Sequence, residues 1–333
     1  MSDISLTKKD FTSDQEVKWC PGCGDYSILS TVQSFLPELG IPRENIVFIS
    51  GIGCSSRFPY YLETFGMHSI HGRAPAIASG LAISRPDLAV FVITGDGDAL
   101  SIGGNHLIHA LRRNVELKIL LFNNRIYGLT KGQYSPTSET GKITKSTPTG
   151  SLDTPFNPIS LALGAEASFV ARSIDSDRKH LTEILRAASV HKGSALIEIY
   201  QNCPIFNDGA FDLLKDGGTK GAALLQLRHG EVIKSDSHGL IREDGSFKLV
   251  ELTSVAESEL IVHDAHNPDP AYAFALSRIS GSALDHVPVG IFRDVERPSY
   301  GSMVNSQIAE VIANQGVGDL DSLLNSGDTW EVN

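Results

Sequence analysis

The sequence predicts an α/β fold: a mostly parallel sheet with helices on both faces. Three observations carry that reading. Residues 88–94 (LAVFVIT) and 117–122 (LKILLF) are nearly unbroken apolar runs, as strands covered on both faces require. Between them, residues 101–113 set Ile102, Leu107, Ile108 and Leu111 near one face of a helix. Strand, helix and strand in that order make a right-handed βαβ unit. The polar turns at 95–98 and 123–128 therefore sit at the carboxyl ends of neighbouring strands, the edge where open α/β sheets bind ligands.

The remaining elements follow in chain order. Residues 1–18 are polar and read as an extended, poorly ordered arm. Residues 27–36 form a helix stopped by Pro37, and 45–50 a short buried strand that leads into Gly51-Ile52-Gly53-Cys54. Pro75 opens a helix over 76–83, whose small residues permit close packing. The stretch 129–158, rich in Gly, Ser, Thr and Pro, reads as a long functional loop over the ligand edge. Helices at 158–163 and 178–190 precede a strand at 194–200, which carries Cys203 to the same edge. Beyond Asp212 the pattern weakens to strands near 223–228, 247–250 and 288–293 and a helix near 269–278. The expected division is an arm at 1–18, a ligand-binding unit at 19–210 and a C-terminal extension at 211–333.

Composition sets bounds on function. The chain has 333 residues, 41% hydrophobic and 20% charged, enough to bury a sizeable core. Its net charge of −11, from 28 basic and 39 acidic residues, opposes a nucleic-acid binder. No window of about 20 apolar residues offers a membrane span. The N-terminal segment lacks the apolar core of a signal peptide, so a cytoplasmic protein is expected.

Two stretches carry chemistry. In the first, Gly95 and Gly97 let backbone approach a phosphate and expose amide donors. Asp96 offers a hard oxygen to a divalent cation, Asn124 an amide oxygen, and Ile126 a backbone carbonyl two residues on. Magnesium takes six oxygens and shares them with phosphate and water, so these three leave room for a diphosphate. A Gly-Asp-Gly turn alone recurs by chance; followed by 25 residues and Asn123-Asn124 inside a βαβ pattern, it is far more specific.

The second is Cys20-Pro21-Gly22-Cys23, with Cys54 and Cys203 the only other cysteines. Two disulfides do not suit a large chain without a secretory signal. Structural zinc usually draws on two close pairs, whereas these two partners stand 31 and 180 residues beyond Cys23. Four thiolates also suit a [4Fe–4S] cubane. Chemistry favours the cluster and leaves zinc open.

GDG at 95–97 with NN at 123–124 resembles the thiamine diphosphate motif of thiamine-dependent enzymes. That resemblance implies that Asp96, Asn124 and the Ile126 carbonyl hold the cofactor's magnesium. WCPGCGDY at 19–26, GIGCSSRFPYY at 51–61 and NCPIFND at 202–208 extend the likeness over nearly the whole chain. Together these motifs resemble the β subunits of 2-oxoacid:ferredoxin oxidoreductases, most of all the bacterial 2-oxoglutarate enzymes. The resemblance implies [4Fe–4S] ligation by Cys20, Cys23, Cys54 and Cys203. It implies a cofactor site built from Gly53, Cys54, Ser55, His71, Gly95, Asp96, Gly97, Asp98, Asn124, Gly128, Leu129 and Thr130.

The implied activity is oxidative decarboxylation of 2-oxoglutarate, with coenzyme A, to succinyl-CoA and carbon dioxide, or its reverse. Pyruvate or branched 2-oxoacids are the alternative substrates. Arg57, three residues after Cys54, matches the family's substrate-contacting basic position and is expected to bind the distal carboxylate, a charge-assisted contact. Lys131 is a second candidate for a substrate carboxylate, at a position where many relatives have glycine. His71 is expected near the diphosphate or reacting centre, while His106 and His109 read as structural. The glutamate that activates thiamine belongs, in this family, to a separate α subunit, and nothing in this chain resembles that domain. An α partner in an α2β2 assembly, coenzyme A and an external ferredoxin are therefore implied.

Overall fold

The structure, a computed structural model, describes residues 6–280 and 283–332. Its strands are β1 (Ile46–Ser50), β2 (Phe65–His68), β3 (Ala89–Gly95), β4 (Lys118–Asn123), β5 (Phe169–Ile174), β6 (Ala195–Tyr200), β7 (Leu224–Leu227), β8 (His238–Glu243), β9 (Ser246–Glu251) and β10 (Val287–Asp294). Eight form one sheet in the order β2-β1-β3-β4-β6-β5-β10-β7, and β8 pairs with β9 in a separate hairpin. Every neighbouring pair in the large sheet is parallel except β5 with β10. The mostly parallel α/β sheet expected from the sequence is thus present.

Alternation along the central strands sends side chains into two cores. Val90 and Val92 of β3 and Ile119 and Leu121 of β4 face a core shared with three helices, α2 (Ala74–Ser84), α4 (Gly104–Arg112) and α5 (Pro158–Gly164). Phe91, Ile93, Leu120 and Phe122 face the opposite core, closed by α1 (Asp25–Phe35) and α6 (Arg178–Val190). Burial at every position of β1, β5 and β6 follows from this double cover.

Three features differ from the sequence expectation. The arm is anchored: Phe11 is fully buried in the second core, and Thr12 bridges to Leu62. Residues 1–5 of that arm lie outside the described residues. The helix expected over 101–113 starts later, as α4, and an unexpected short helix, α3 (Asp96–Leu100), precedes it, so the Gly95–Asp98 turn is itself a helical start. They part at Gly103 because the backbones of Gly72 and Gly103 meet there; a Cβ on Gly103 would lie 3.0 Å from Gly72 Cα. Ile102 falls in that break and is exposed, while Leu107 and Leu111 are buried as expected. Finally, β7 and β10 add to the main sheet beside β5, so part of 211–333 completes the same layer as the motif-bearing strands. Among the described residues, no helix is long and apolar enough to cross a membrane.

Candidate active site

The carboxyl ends of β1, β3, β4 and β6 meet at one edge, and the loops leaving them carry both motifs. At the end of β3, Asp96 is buried, and its Oδ2 accepts hydrogen bonds from Ser135 Oγ at 2.5 Å and Thr137 Oγ1 at 2.6 Å. Those hydroxyls come from the long loop after β4, which is what folds that loop down over the site. Burial nevertheless pushes the Asp96 carboxyl up to about 6, so a cation that compensates its charge would be welcome there. Asn124 Oδ1 accepts from the backbone N–H of Ile126 at 3.2 Å, which ties the Asn124 amide to the turn that carries the Ile126 carbonyl. The fit to magnesium rests on that donor set: one carboxylate, one amide and one backbone carbonyl, all hard oxygens.

Asp98 does a different job. Its Oδ1 accepts from the backbone N–H of Ile52 at 3.1 Å and of Gly72 at 2.7 Å, and pairs with His71 Nδ1 at 2.5 Å. Its Oδ2 accepts from Thr94 Oγ1 at 2.7 Å. One buried carboxylate thus ties the loop after β1 and the loop before α2 to β3. His71 lines the same cavity as Gly53, Ser55 and Gly95, but its Nδ1 is committed to Asp98, so Nε2 is the nitrogen left to face a ligand. Asn124, Ile126, Gly128, Leu129 and Thr130 also line this cavity, together with Tyr127, which sequence reading missed.

All four cysteines, with Arg57 and Lys131, line an adjoining cavity. The two cavities share Cys54, Asn124, Gly128 and Leu129 as a common wall. Gly128 lies against the thiols: a Cβ on it would be in van der Waals contact with Cys54 Sγ at 3.4 Å and Cys203 Sγ at 3.9 Å. Among the described residues, no three His, Cys, Asp or Glu side chains converge as a ready-made ligand set, so the thiols face one space without being drawn onto a common centre. Burial raises the Cys23 thiol strongly and the Cys54 thiol to about 11. An iron centre entering this space would have to displace their protons, as thiolate ligation does. Soft sulfur donors around one cavity fit a cluster; Arg57 itself reaches back to the Lys18 carbonyl at 3.2 Å.

Comparison with known proteins agrees with this geometry. The family described as thiamine pyrophosphate enzyme, C-terminal TPP binding domain, matches residues 51–199, from the loop after β1 to the end of β6. The Mycobacterium tuberculosis protein named 2-oxoglutarate oxidoreductase subunit KorB is 64% identical over 328 residues, 97% of this chain and 88% of that protein. The chain belongs to the β subunits of the 2-oxoacid:ferredoxin oxidoreductases. A Saccharolobus solfataricus β subunit of a 2-oxoacid:ferredoxin oxidoreductase is 47% identical over 192 residues, 57% of this chain and 63% of that protein. The solved 2-oxoglutarate:ferredoxin oxidoreductase of Magnetococcus marinus superposes with a TM-score of 0.78 at 33% identity, covering 98% of each chain.

In this β subunit one polar residue at the site was invisible to motif reading. Gln201, buried just past the end of β6, donates from Nε2 to Cys23 Sγ at 3.2 Å and accepts at Oε1 from Asn124 Nδ2 at 2.8 Å. Asn123 supports the turn from beneath, donating to Glu198 Oε1 at 2.7 Å. Gln201 lies in no spacing pattern; only its strand-end position, shared with Asn124 and Cys203, could have pointed to it.

Proposed function

We propose that this chain is the cofactor-bearing half of an enzyme that converts 2-oxoglutarate, with coenzyme A, to succinyl-CoA and carbon dioxide, or runs the reverse reductive carboxylation. The observation that carries the reading is the shared wall: the cavity of the diphosphate motif and the cavity of the four cysteines have Cys54, Asn124, Gly128 and Leu129 in common. A cofactor in the first would lie beside a redox centre in the second.

In this reading Asp96, Asn124 and the Ile126 carbonyl hold Mg2+, and the diphosphate rests against Gly95, Gly97 and the loop of Gly53 to Ser55. When bound, thiamine diphosphate supplies the carbanion chemistry that cleaves the bond between the carbonyl and carboxylate of a 2-oxoacid. The [4Fe–4S] cluster held by Cys20, Cys23, Cys54 and Cys203 supplies one-electron transfer toward ferredoxin. This chain's own residues orient and screen. Asp98 fixes the His71 ring through Nδ1, leaving Nε2 to hydrogen-bond a ligand. Ser135 and Thr137 hold the Asp96 carboxylate in one orientation, and Arg57 supplies the positive charge for the distal carboxylate of a dicarboxylic substrate.

Residues 19–210 form the cofactor and cluster unit in this proposal, with 1–18 as an arm and 211–333 as an extension. The α subunit completes the thiamine site with its glutamate. The helix Tyr300–Gln315 buries none of its residues and exposes Met303, Ile308, Val311 and Ile312, surface of the kind a partner subunit covers. An α2β2 assembly in the cytoplasm accommodates these features.

The test is an anaerobic absorption and EPR spectrum of the chain purified with its α partner, before and after 2-oxoglutarate. A brown protein that is reduced by 2-oxoglutarate and not by pyruvate supports the reading. A colourless protein with zinc on its thiolates ends the redox half of it, and a cluster reduced by pyruvate alone moves the substrate.

A further inference from the structure

We propose that Gln201 is a positioning residue that couples the two halves of the site, holding a magnesium ligand with one end of its side-chain amide and a cluster ligand with the other. The inference rests on the functional reading above and adds a residue that no motif of the sequence contains.

The geometry leaves this amide one orientation. Oε1 accepts from Asn124 Nδ2 at 2.8 Å, and Nε2 donates both to Cys23 Sγ at 3.2 Å and to the Asn202 carbonyl. Turning the amide over would set two donors against each other at Asn124 and an oxygen against the sulfur. Gln201 is 1% exposed, so water does not replace a lost partner cheaply. Its own backbone N–H donates to the Asn123 carbonyl at 3.0 Å, which fixes its height at the end of β6 against β4.

Each end has a distinct chemical consequence. By taking up Asn124 Nδ2, Gln201 keeps the Asn124 amide turned so that Oδ1 stays on the side of the Ile126 N–H, the orientation that leaves this oxygen as the ligand proposed above. By donating to Cys23 Sγ it places positive hydrogen density against a sulfur that is a thiolate when it holds iron, and such bonds are stronger to ionised acceptors. Hydrogen bonds to ligand sulfurs stabilise the reduced, more negative cluster and raise its reduction potential. Because one rigid amide does both, a shift of Asn124 on cofactor loading is transmitted to the sulfur.

Two variants separate the ends. Gln201→Glu keeps an oxygen toward Asn124 and replaces the donor at Cys23 with a carboxylate. Gln201→Leu removes both contacts. In the αβ holoenzyme the cluster midpoint potential, followed by EPR during redox titration, is expected to fall in both variants. The apparent magnesium affinity, read from thiamine diphosphate retention during a magnesium titration, is expected to weaken at least tenfold in Gln201→Leu and to change less than threefold in Gln201→Glu. An unchanged potential in a cluster-loaded Gln201→Glu enzyme overturns the cysteine half, and unchanged magnesium affinity in Gln201→Leu overturns the asparagine half. Should either variant fail to assemble, the parent holoenzyme decides: with 15N-glutamine labelling, pulsed EPR of the reduced cluster shows a coupled side-chain nitrogen at Cys23 or the proposal fails. A parent enzyme without any cluster defeats the functional reading itself, a result distinct from both.

Discussion

The ring of Tyr127 lies directly over Gly97. A Cβ on Gly97 would come within 2.6 Å of Tyr127 Cζ, and the tyrosine hydroxyl donates to the Gly97 carbonyl at 3.0 Å. Sequence reading explained this glycine by close approach of a phosphate; the structure adds a packing reason, since the turns after β3 and β4 are clamped by this one side chain. Gly97→Ala is expected to destabilise the protein by about 1–3 kcal/mol through overpacking. Adding Tyr127→Ala should recover part of that loss, because the obstruction is then gone. Denaturant unfolding of the two single variants and the double variant gives the coupling, and strictly additive losses would show that the ring is not what excludes a methyl group.

Asp98 carries four acceptor contacts from three segments, and only the His71 one concerns a group that can face a ligand. Asp98→Ala leaves the buried N–H of Gly72 unsatisfied at about 1–3 kcal/mol and also strips the partly buried N–H of Ile52 of its acceptor. His71→Ala removes a half-exposed ring and one contact. Urea midpoints should therefore fall much further for Asp98→Ala than for His71→Ala. The reverse order would mean that His71, not Asp98, holds the loops together.

The sequence made the centre of the fold legible to within a residue or two: β3, β4, β6, α5 and α6 all coincide with apolar runs or helical spacing bounded by turn residues. The gathering of the cysteines was legible for the same reason, since parallel strands deliver their following loops to one edge. What escaped notice had particular causes. β5 is interrupted by Arg172, a charge that spoils the apolar run and is tolerated only through a partner on the neighbouring strand. The break between α3 and α4 depends on Gly72, a contact from a distant loop. Tyr127 and Gln201 act through tertiary contacts to Gly97 and Cys23, and local spacing cannot report such partners.

The Arg172–Glu198 pair predicts a measurable asymmetry. Arg172 Nε donates to Glu198 Oε2 at 2.7 Å with both side chains almost wholly buried, and the guanidinium lies over the Tyr200 and Phe292 rings. Arg172→Met strands the carboxylate and is expected to cost about 3–5 kcal/mol. Glu198→Gln added to it removes the stranded charge while keeping an acceptor for Asn123 Nδ2, so the double variant should be more stable than Arg172→Met alone. If chemical unfolding finds the double variant weaker still, the glutamate charge is answered by some group other than Arg172.

Arg57 and Lys131 share the cysteine cavity and stand beside its wall with the cofactor cavity, and their backbones differ in a way that bears on function. Lys131 has φ +75°, a left-handed conformation that glycine adopts freely and lysine does not. Lys131→Gly should therefore gain about 1 kcal/mol of stability from relieved strain, an unusual result for removing a cation. If the lysine also contacts a substrate carboxylate, the same variant raises KM, so stability and binding move in opposite directions. Arg57→Ala carries no such strain relief. It is expected to raise KM for 2-oxoglutarate by about 10- to 150-fold, the loss of one charge-assisted contact of about 1.5–3 kcal/mol, with KM for pyruvate little changed because pyruvate has no distal carboxylate to lose. Steady-state kinetics on both 2-oxoacids with the α partner present decides it: an equal rise for both would make Arg57 a general anion attractor, and no rise for either would leave the choice of substrate to the other subunit.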